Sequence, residues 1–174
     1  KVAPLLEPLV AAQIRELLKS KKIHSDDTVV PVLEKDRKTT KQGRLWVYGN
    51  QTHIVYDYTP NRSREGPKAF LRGYRGYLQA DAYAGYNELL GKEKATLVGC
   101  WAHARRKFVE AEDSDPLRAH TALVFIKELY RIEKEWRKVD AETRAAVRQA
   151  EALPLLEKFE TWLREQSGRV LPKS

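Results

Sequence analysis

Five short runs rich in β-branched and aromatic residues lie in the first 101 positions of this chain, and no such run follows them. They are KIHSDDTVVPVLEK (22–35), RLWVYGNQ (44–51), THIVYDYTP (52–60), YLQADA (77–82) and ATLVGCW (95–101), each with the length and composition of a strand. A polar, basic, glycine-bearing stretch at 35–44 reads as a flexible hairpin turn, and a Gly-Asn turn separates the second run from the third. Three consecutive antiparallel strands are therefore expected. After Pro60 the period alternates, with helices expected at 63–76, capped by Ser63 and carrying Pro67 near its start, at 83–92, and at 102–114. The order βββαβαβα predicts an α/β (α+β) chain: a mixed five-stranded sheet with flanking helices, in which the first and fourth strands can lie side by side.

The ends of the chain are helical. Leu6, Leu9, Val10, Ile14, Leu17 and Leu18 recur at helical spacing and predict a leading helix over 1–22. Beyond Asp115 the segments 120–138, 140–152 and 154–166 all show helical periodicity, with Asp140 and Pro154 as start signals and Gly168 as a stop. The expected organisation is a leading helix (1–22), a sheet-bearing core (23–114) and an all-α insertion (115–174).

Composition narrows the function classes. No run approaches the roughly 18 apolar residues of a membrane helix, and no basic-then-apolar leader is present, so the expected setting is cytoplasmic. One cysteine cannot form an internal disulfide. The net charge of +8 is uneven: residues 1–110 hold 20 Lys and Arg against 12 Asp and Glu, whereas residues 111–174 hold 12 of each. The excess over the first part is either a solubilising surface or the place where a polyanion binds. Methionine is absent, at position 1 included, which points to a piece of a longer chain.

Within this frame Asp26 and Asp27 lie in the first strand and Asp81 ends the fourth. Side chains alternate along a strand, so only one of Asp26 and Asp27 can point toward Asp81. Two readings stand. Asp81 can cap the helix that follows it, with SDDT a polar edge segment. Alternatively, two carboxylates converging from neighbouring strands supply hard oxygen donors for Mg²⁺, which binds through one or two carboxylates, waters and phosphate oxygens.

IHSDDTVVPVL, GYLQADAYAGYNELL and CWAHARRKF, in this order and with a final VLPKS, resemble the transposase of the insertion-sequence 66 family, a bacterial group with an RNase H-like catalytic core. The resemblance covers nearly the whole chain. It implies a DDE-type enzyme in which Asp26 and Asp81 are catalytic acids that bind Mg²⁺ or Mn²⁺, with Asp27 where the family has Glu or Asp. It also implies DNA partners (transposon-end and target DNA), a homo-oligomer in the active complex, no membrane association and a nucleoid-associated location. An RNase H-like nuclease and a noncatalytic nucleic-acid-binding module are the alternatives.

Other residues follow from the same frame. Arg105, Arg106 and Lys107 form a basic cluster that is either a phosphate contact or a solvated helix face. In Cys-x-x-His, Cys100 is expected in the core and His103 hydrogen-bonded near the acids; zinc would need two further ligands that the sequence does not offer. The third acid implied by the resemblance, a Glu in Asn-Asn-x-x-Glu-Arg, does not occur in the chain. Glu110 and Glu133 are the in-chain candidates. Glu133 sits on a helix among Ile126, Leu129, Tyr130 and Trp136, where a partner such as an arginine is expected.

Overall fold

The computed structural model describes residues 3–33, 39–89 and 95–170, in two compact units, Lys1–Cys100 and Trp101–Ser174. The first unit opens with helix α1 (Ala3–Leu18) and continues through strands β1 (Lys22–Val32), β2 (Lys41–Gly49) and β3 (Ile54–Thr59). A short helix α2 (Glu65–Phe70), strand β4 (Tyr77–Ala80), a 3₁₀ turn (Ala84–Leu89) and strand β5 (Thr96–Gly99) complete it.

These strands form one sheet in the order β3-β2-β1-β4-β5. β1 runs antiparallel to β2, and β2 to β3, as the meander in the sequence predicts. β1 pairs in parallel with β4, matching Ile23 with Leu78 and His24 with Gln79, and β4 pairs in parallel with β5. The hairpin expected at 35–44 lies partly outside the described residues; from Lys41 onward the chain is already strand.

One face of the sheet is packed. Ile23, Trp46, Tyr48, Val55, Leu78 and Ala80 form its apolar layer, joined by Leu17 of α1 and by Leu71, Tyr74 and Tyr86. Tyr48 and Phe70 stack with ring centroids 3.8 Å apart. Only the C-terminal end of α1 takes part, through Ile14, Leu17 and Leu18, while Leu5, Leu6, Leu9 and Val10 are exposed. The alternating aromatics thus divide: Trp46 and Tyr48 are buried, whereas Tyr56 and Tyr58 are exposed.

One local expectation is corrected here. Ser63 does not cap α2; its N–H donates to Asn61 Oδ1 (3.0 Å), and the helix begins one residue later, at Glu65, with Arg64 at the N-cap position and no side-chain cap. The Asn61 side chain forms an Asx turn that shapes the approach to the helix. After α2 the chain turns through Gly73, at φ +78°, and reaches Gly76. A Cβ at Gly76 would lie 2.6 Å from the Lys21 carbonyl and against the Tyr74 hydroxyl. That closeness serves the sheet, because the next residue, Tyr77, donates its N–H to the same Lys21 carbonyl (2.8 Å).

The second unit is all helix: α3 (Trp101–Glu110), α4 (Pro116–Glu135), α5 (Ala141–Val147) and α6 (Leu153–Ser167). Asp115 caps α4 by accepting from the Arg118 N–H, and Asp140 caps α5 by accepting from the Thr143 N–H. Pro154 was expected to open a separate helix. Instead a π-helical turn (Arg148–Ala152) joins α5 to α6, and all the flanking residues are helical. Proline has no N–H to give to the preceding turn, and the widened turn absorbs that loss. The core is Ala122, Ile126 and Phe159 with Phe108, Phe125 and Trp162 around them, continued by Leu129, Ile132 and Ala152.

Replacing Gly76 by Ala should destabilise the first unit by about 1 to 3 kcal/mol, because the added methyl meets the Lys21 backbone carbonyl as well as the Tyr74 hydroxyl, so moving the tyrosine alone does not relieve it. Urea unfolding followed by tryptophan fluorescence measures the difference, and a loss comparable with that of a surface Ala substitution would show that the β1–β4 crossing is loose.

Candidate functional site

Parallel pairing of β1 with β4 brings both acid-bearing segments to the same end of the sheet. The ladder ends at His24 opposite Gln79, two residues before Asp26 and Asp81. Asp27 follows Ile23 and Ser25 on the covered face, and its side chain is only 3% exposed. Asp26 is on the other side of the strand and exposed, level with Val47 of β2. Its Oδ1 accepts from the Asp27 N–H (2.9 Å).

The buried carboxylate of Asp27 is held by two arginines. Arg44 Nη1 donates to Oδ2 (2.9 Å), while Arg62 donates to Oδ1 from Nε (3.0 Å) and Nη2 (2.8 Å). The same Arg62 Nη2 donates to Asp81 Oδ2 (3.0 Å). One guanidinium nitrogen thus joins an acid from β1 to the acid that ends β4. The acid reached from Asp81 in this way is Asp27, not Asp26. Asp81 Oδ1 accepts from the Tyr83 N–H (3.1 Å), so Asp81 also closes the turn into the 3₁₀ segment.

Arg62 is itself fixed from both sides. Buried Trp46 donates from Nε1 to Thr59 Oγ1 (2.8 Å), and Thr59 donates to the Asn61 carbonyl (2.7 Å), setting the backbone just before Arg62. On the other side, the Tyr83 hydroxyl donates to the Arg62 carbonyl (2.6 Å), and the guanidinium lies 4.3 Å from the Tyr83 ring centroid, a cation–π distance. Burial alone would lower the Arg62 pKa, but hydrogen bonds and charge from Asp27 and Asp81 raise it.

Beneath the acids, Trp46, Tyr83 and Tyr86 pack edge-on or tilted, with centroids 5.8 to 6.4 Å apart. The Tyr86 hydroxyl shares a buried hydrogen bond with Ser25 (2.9 Å). Burial first, then the charges of Asp81, Asp27 and Asp26, push its pKa up, against the bond to Ser25. All three carboxylates therefore act on one buried phenol. Desolvation likewise raises the pKa of Asp57, which lies opposite Trp46 on β3.

The remaining candidates are placed as follows. Arg105, Arg106 and Lys107 are exposed on α3, in the second unit, and Lys107 pairs with Glu110 (2.7 Å). Cys100 is partly exposed rather than core; it lies one residue past the end of β5, at the edge of the packed layer, donating its N–H to the Ala80 carbonyl (3.1 Å). His103 is half-buried on α3, in the second unit. Glu133 has the expected arginine partner, a two-pronged contact with Arg148 (2.6 and 2.7 Å), but it is 43% exposed instead of buried in the apolar stripe. Among the described residues, no three His, Cys, Asp or Glu side chains converge as a ready metal cage.

Arg62 and Arg44 are the site residues that sequence reasoning missed. Arg44 was legible in principle, since antiparallel pairing places it two rungs from Asp27. Arg62 lies in a loop, and only the Thr-Pro-Asn-Arg-Ser turn signal hinted that its backbone is fixed.

A three-stranded antiparallel meander extended by two parallel strands, with helices between them and acids within β1 and just past the end of β4, is consistent with an RNase H-like fold. The sequence matches the Transposase IS66 family over residues 1–174, and the chain belongs to that family. Similar proteins from Sinorhizobium fredii (strain NBRC 101917 / NGR234) are the uncharacterized proteins y4hP, 33% identical over 84% of this chain and 31% of its own length, and y4qI, 31% identical over 95% and 34%. A third, y4jD, is 28% identical over all of this chain and 37% of its own length. The chain thus spans about a third of the length of these relatives. No described helix is long and apolar enough to cross a membrane.

Asp27→Asn should cost about 3 kcal/mol, since it leaves two arginines facing an uncharged, buried amide. Asp26→Asn should cost clearly less than Asp27→Asn, because Asp26 is exposed and its amide oxygen still accepts from the Asp27 N–H. Urea midpoints on the two variants test the contrast. Asp57→Asn should have the opposite sign. An acid whose folded pKa is raised is penalised as pH climbs through its ordinary range, so the variant should be more stable at pH 7, with the gain fading toward pH 3 in matched thermal melts.

Proposed function

We propose that this chain carries the acidic site of a DDE-type transposase, which cleaves DNA at transposon ends and transfers the strand with a divalent metal, Mg²⁺ or Mn²⁺. The observation that supports this most is the arrival of acids from two adjacent parallel strands, β1 and β4, at one end of the sheet. The donor set fits such an ion in kind: carboxylate oxygens only, which suit a hard cation that keeps several waters.

Asp26 and Asp81 are the residues assigned to hold the metal. Bound there, the ion would supply Lewis-acid activation of an attacking water or 3′-hydroxyl and charge for the departing oxygen. The chain's own residues do the positioning. Asp27, held by Arg44 and Arg62, keeps the middle of β1 in place beside Asp81, and the Asp81 bond to the Tyr83 N–H fixes that carboxylate just past the end of β4. Arg105, Arg106 and Lys107 are assigned to phosphate contacts, where each exchanges condensed counterions for protein charge. Glu133 is assigned a structural role, since Arg148 already takes both its oxygens.

The test is cleavage of a labelled transposon-end duplex by the transposase that contains this chain. Asp26→Asn and Asp81→Asn should each lower the rate by about a hundredfold or more, with duplex affinity little changed. Full cleavage by either variant would exclude that residue as a metal-holding acid. Replacing Arg105 and Arg106 together by Ala should instead weaken duplex binding and reduce its salt dependence.

A further inference from the structure

We infer that Arg62 and a divalent cation are alternative occupants of Asp81, so that the guanidinium is a built-in counter-ion which the metal must displace. The inference rests on the reading of Asp81 as a metal-holding acid, and it concerns a residue to which that reading gives no part in metal binding.

Three observations carry it. First, Arg62 Nη2 is the meeting point of Asp27 Oδ1 (2.8 Å) and Asp81 Oδ2 (3.0 Å), so one positively charged nitrogen stands where two carboxylates converge. Both Asp81 oxygens already accept a hydrogen bond, Oδ1 from the Tyr83 N–H and Oδ2 from Arg62, so a cation on this carboxylate meets the guanidinium at close range, and two positive charges at that spacing repel. Second, the bonds are unequal in what their loss entails. Asp27, 3% exposed, receives both Nε and Nη2, whereas Asp81, 24% exposed, receives Nη2 alone. Releasing Asp81 breaks one hydrogen bond and leaves Arg62 anchored through Nε. Third, the anchor is prepared on the protein side, with the Arg62 carbonyl held by the Tyr83 hydroxyl and the guanidinium lying against the Tyr83 ring. The guanidinium can therefore pivot about Asp27 without the loop unfolding.

This arrangement also explains how the acids coexist without metal. Like charges at one strand end repel, and an unpaired carboxylate at a mostly buried position is costly. Arg62 neutralises the pair until a cation takes over at Asp81. Arg44 remains on Asp27 in either state.

The experiment is calorimetric titration of this chain with Mn²⁺, in the wild type, Arg62→Gln, Tyr83→Leu and Asp81→Asn forms, each checked for folding by circular dichroism. Removing the competing charge should tighten Mn²⁺ binding by about tenfold or more in Arg62→Gln. Tyr83→Leu, which loosens the anchor without touching a carboxylate, should give a smaller gain in the same direction and serves if Arg62→Gln does not fold. In the wild type, the Arg62 Nε–Hε resonance should shift as Mg²⁺ is added, which a purely structural arginine would not do. Equal or weaker binding by Arg62→Gln, with binding still lost in Asp81→Asn, would overturn the counter-ion role while leaving the metal reading intact. No binding by any form would overturn both.

Discussion

The parallel pairing of β1 with β4 is the contact on which the rest of the first unit depends. It spans only three residue pairs, yet it converts two segments more than fifty positions apart into neighbours. Its geometry is set before the strands begin. The Lys21 carbonyl takes the Tyr77 N–H, and Gly76 lets the incoming chain pass close enough to that carbonyl for the bond to form. Ile23 and Leu78, both fully buried, then lock the pair to the core. Acids two and three residues further along inherit their placement from this join.

Placement alone would not satisfy the oxygens of a carboxylate such as Asp27 in a nearly dry position. Two arginines from different elements answer its charge, one from the neighbouring strand and one from the loop after β3. Such an arrangement contributes little net stability compared with an apolar replacement, but it is unforgiving of the loss of one partner. Its worth lies in geometry, since the same Arg62 that satisfies Asp27 also reaches Asp81. The aromatic floor of Trp46, Tyr83 and Tyr86 supplies the stiffness that makes those distances reproducible.

Much of this was legible in the sequence, for physical reasons that differ by element. The strands were readable because β-branched and aromatic runs bounded by turn residues have few other uses, and the adjacency of the first and fourth strands followed from the order of elements. Asp81 was readable as a strand-end acid, and both roles open to it, turn closure and charge partner, draw on the same carboxylate. The pairing of Asp27 rather than Asp26 with Asp81 was not readable, because alternation says that one of two adjacent residues faces inward without saying which. Helix boundaries failed where a side-chain turn preceded the helix, as at Asn61, or where a proline could be absorbed, as at Pro154. Arg62 was missed because a loop residue carries no periodicity.

The alternation that separates Asp26 from Asp27 has a consequence for how the chain can vary. Adjacent carboxylates on opposite faces of one strand are exchanged by a slip of a single residue, because the side-chain period of a strand is two. A one-residue deletion in the Lys19–Lys21 link that shifted β1 against β4 would present Asp26 to the arginines and turn Asp27 outward, but it would also drive Ile23 and Ser25 out of the core. The apolar neighbours of the acids therefore act as a reading frame: they fix which of two chemically identical side chains is held dry between arginines and which is left facing water.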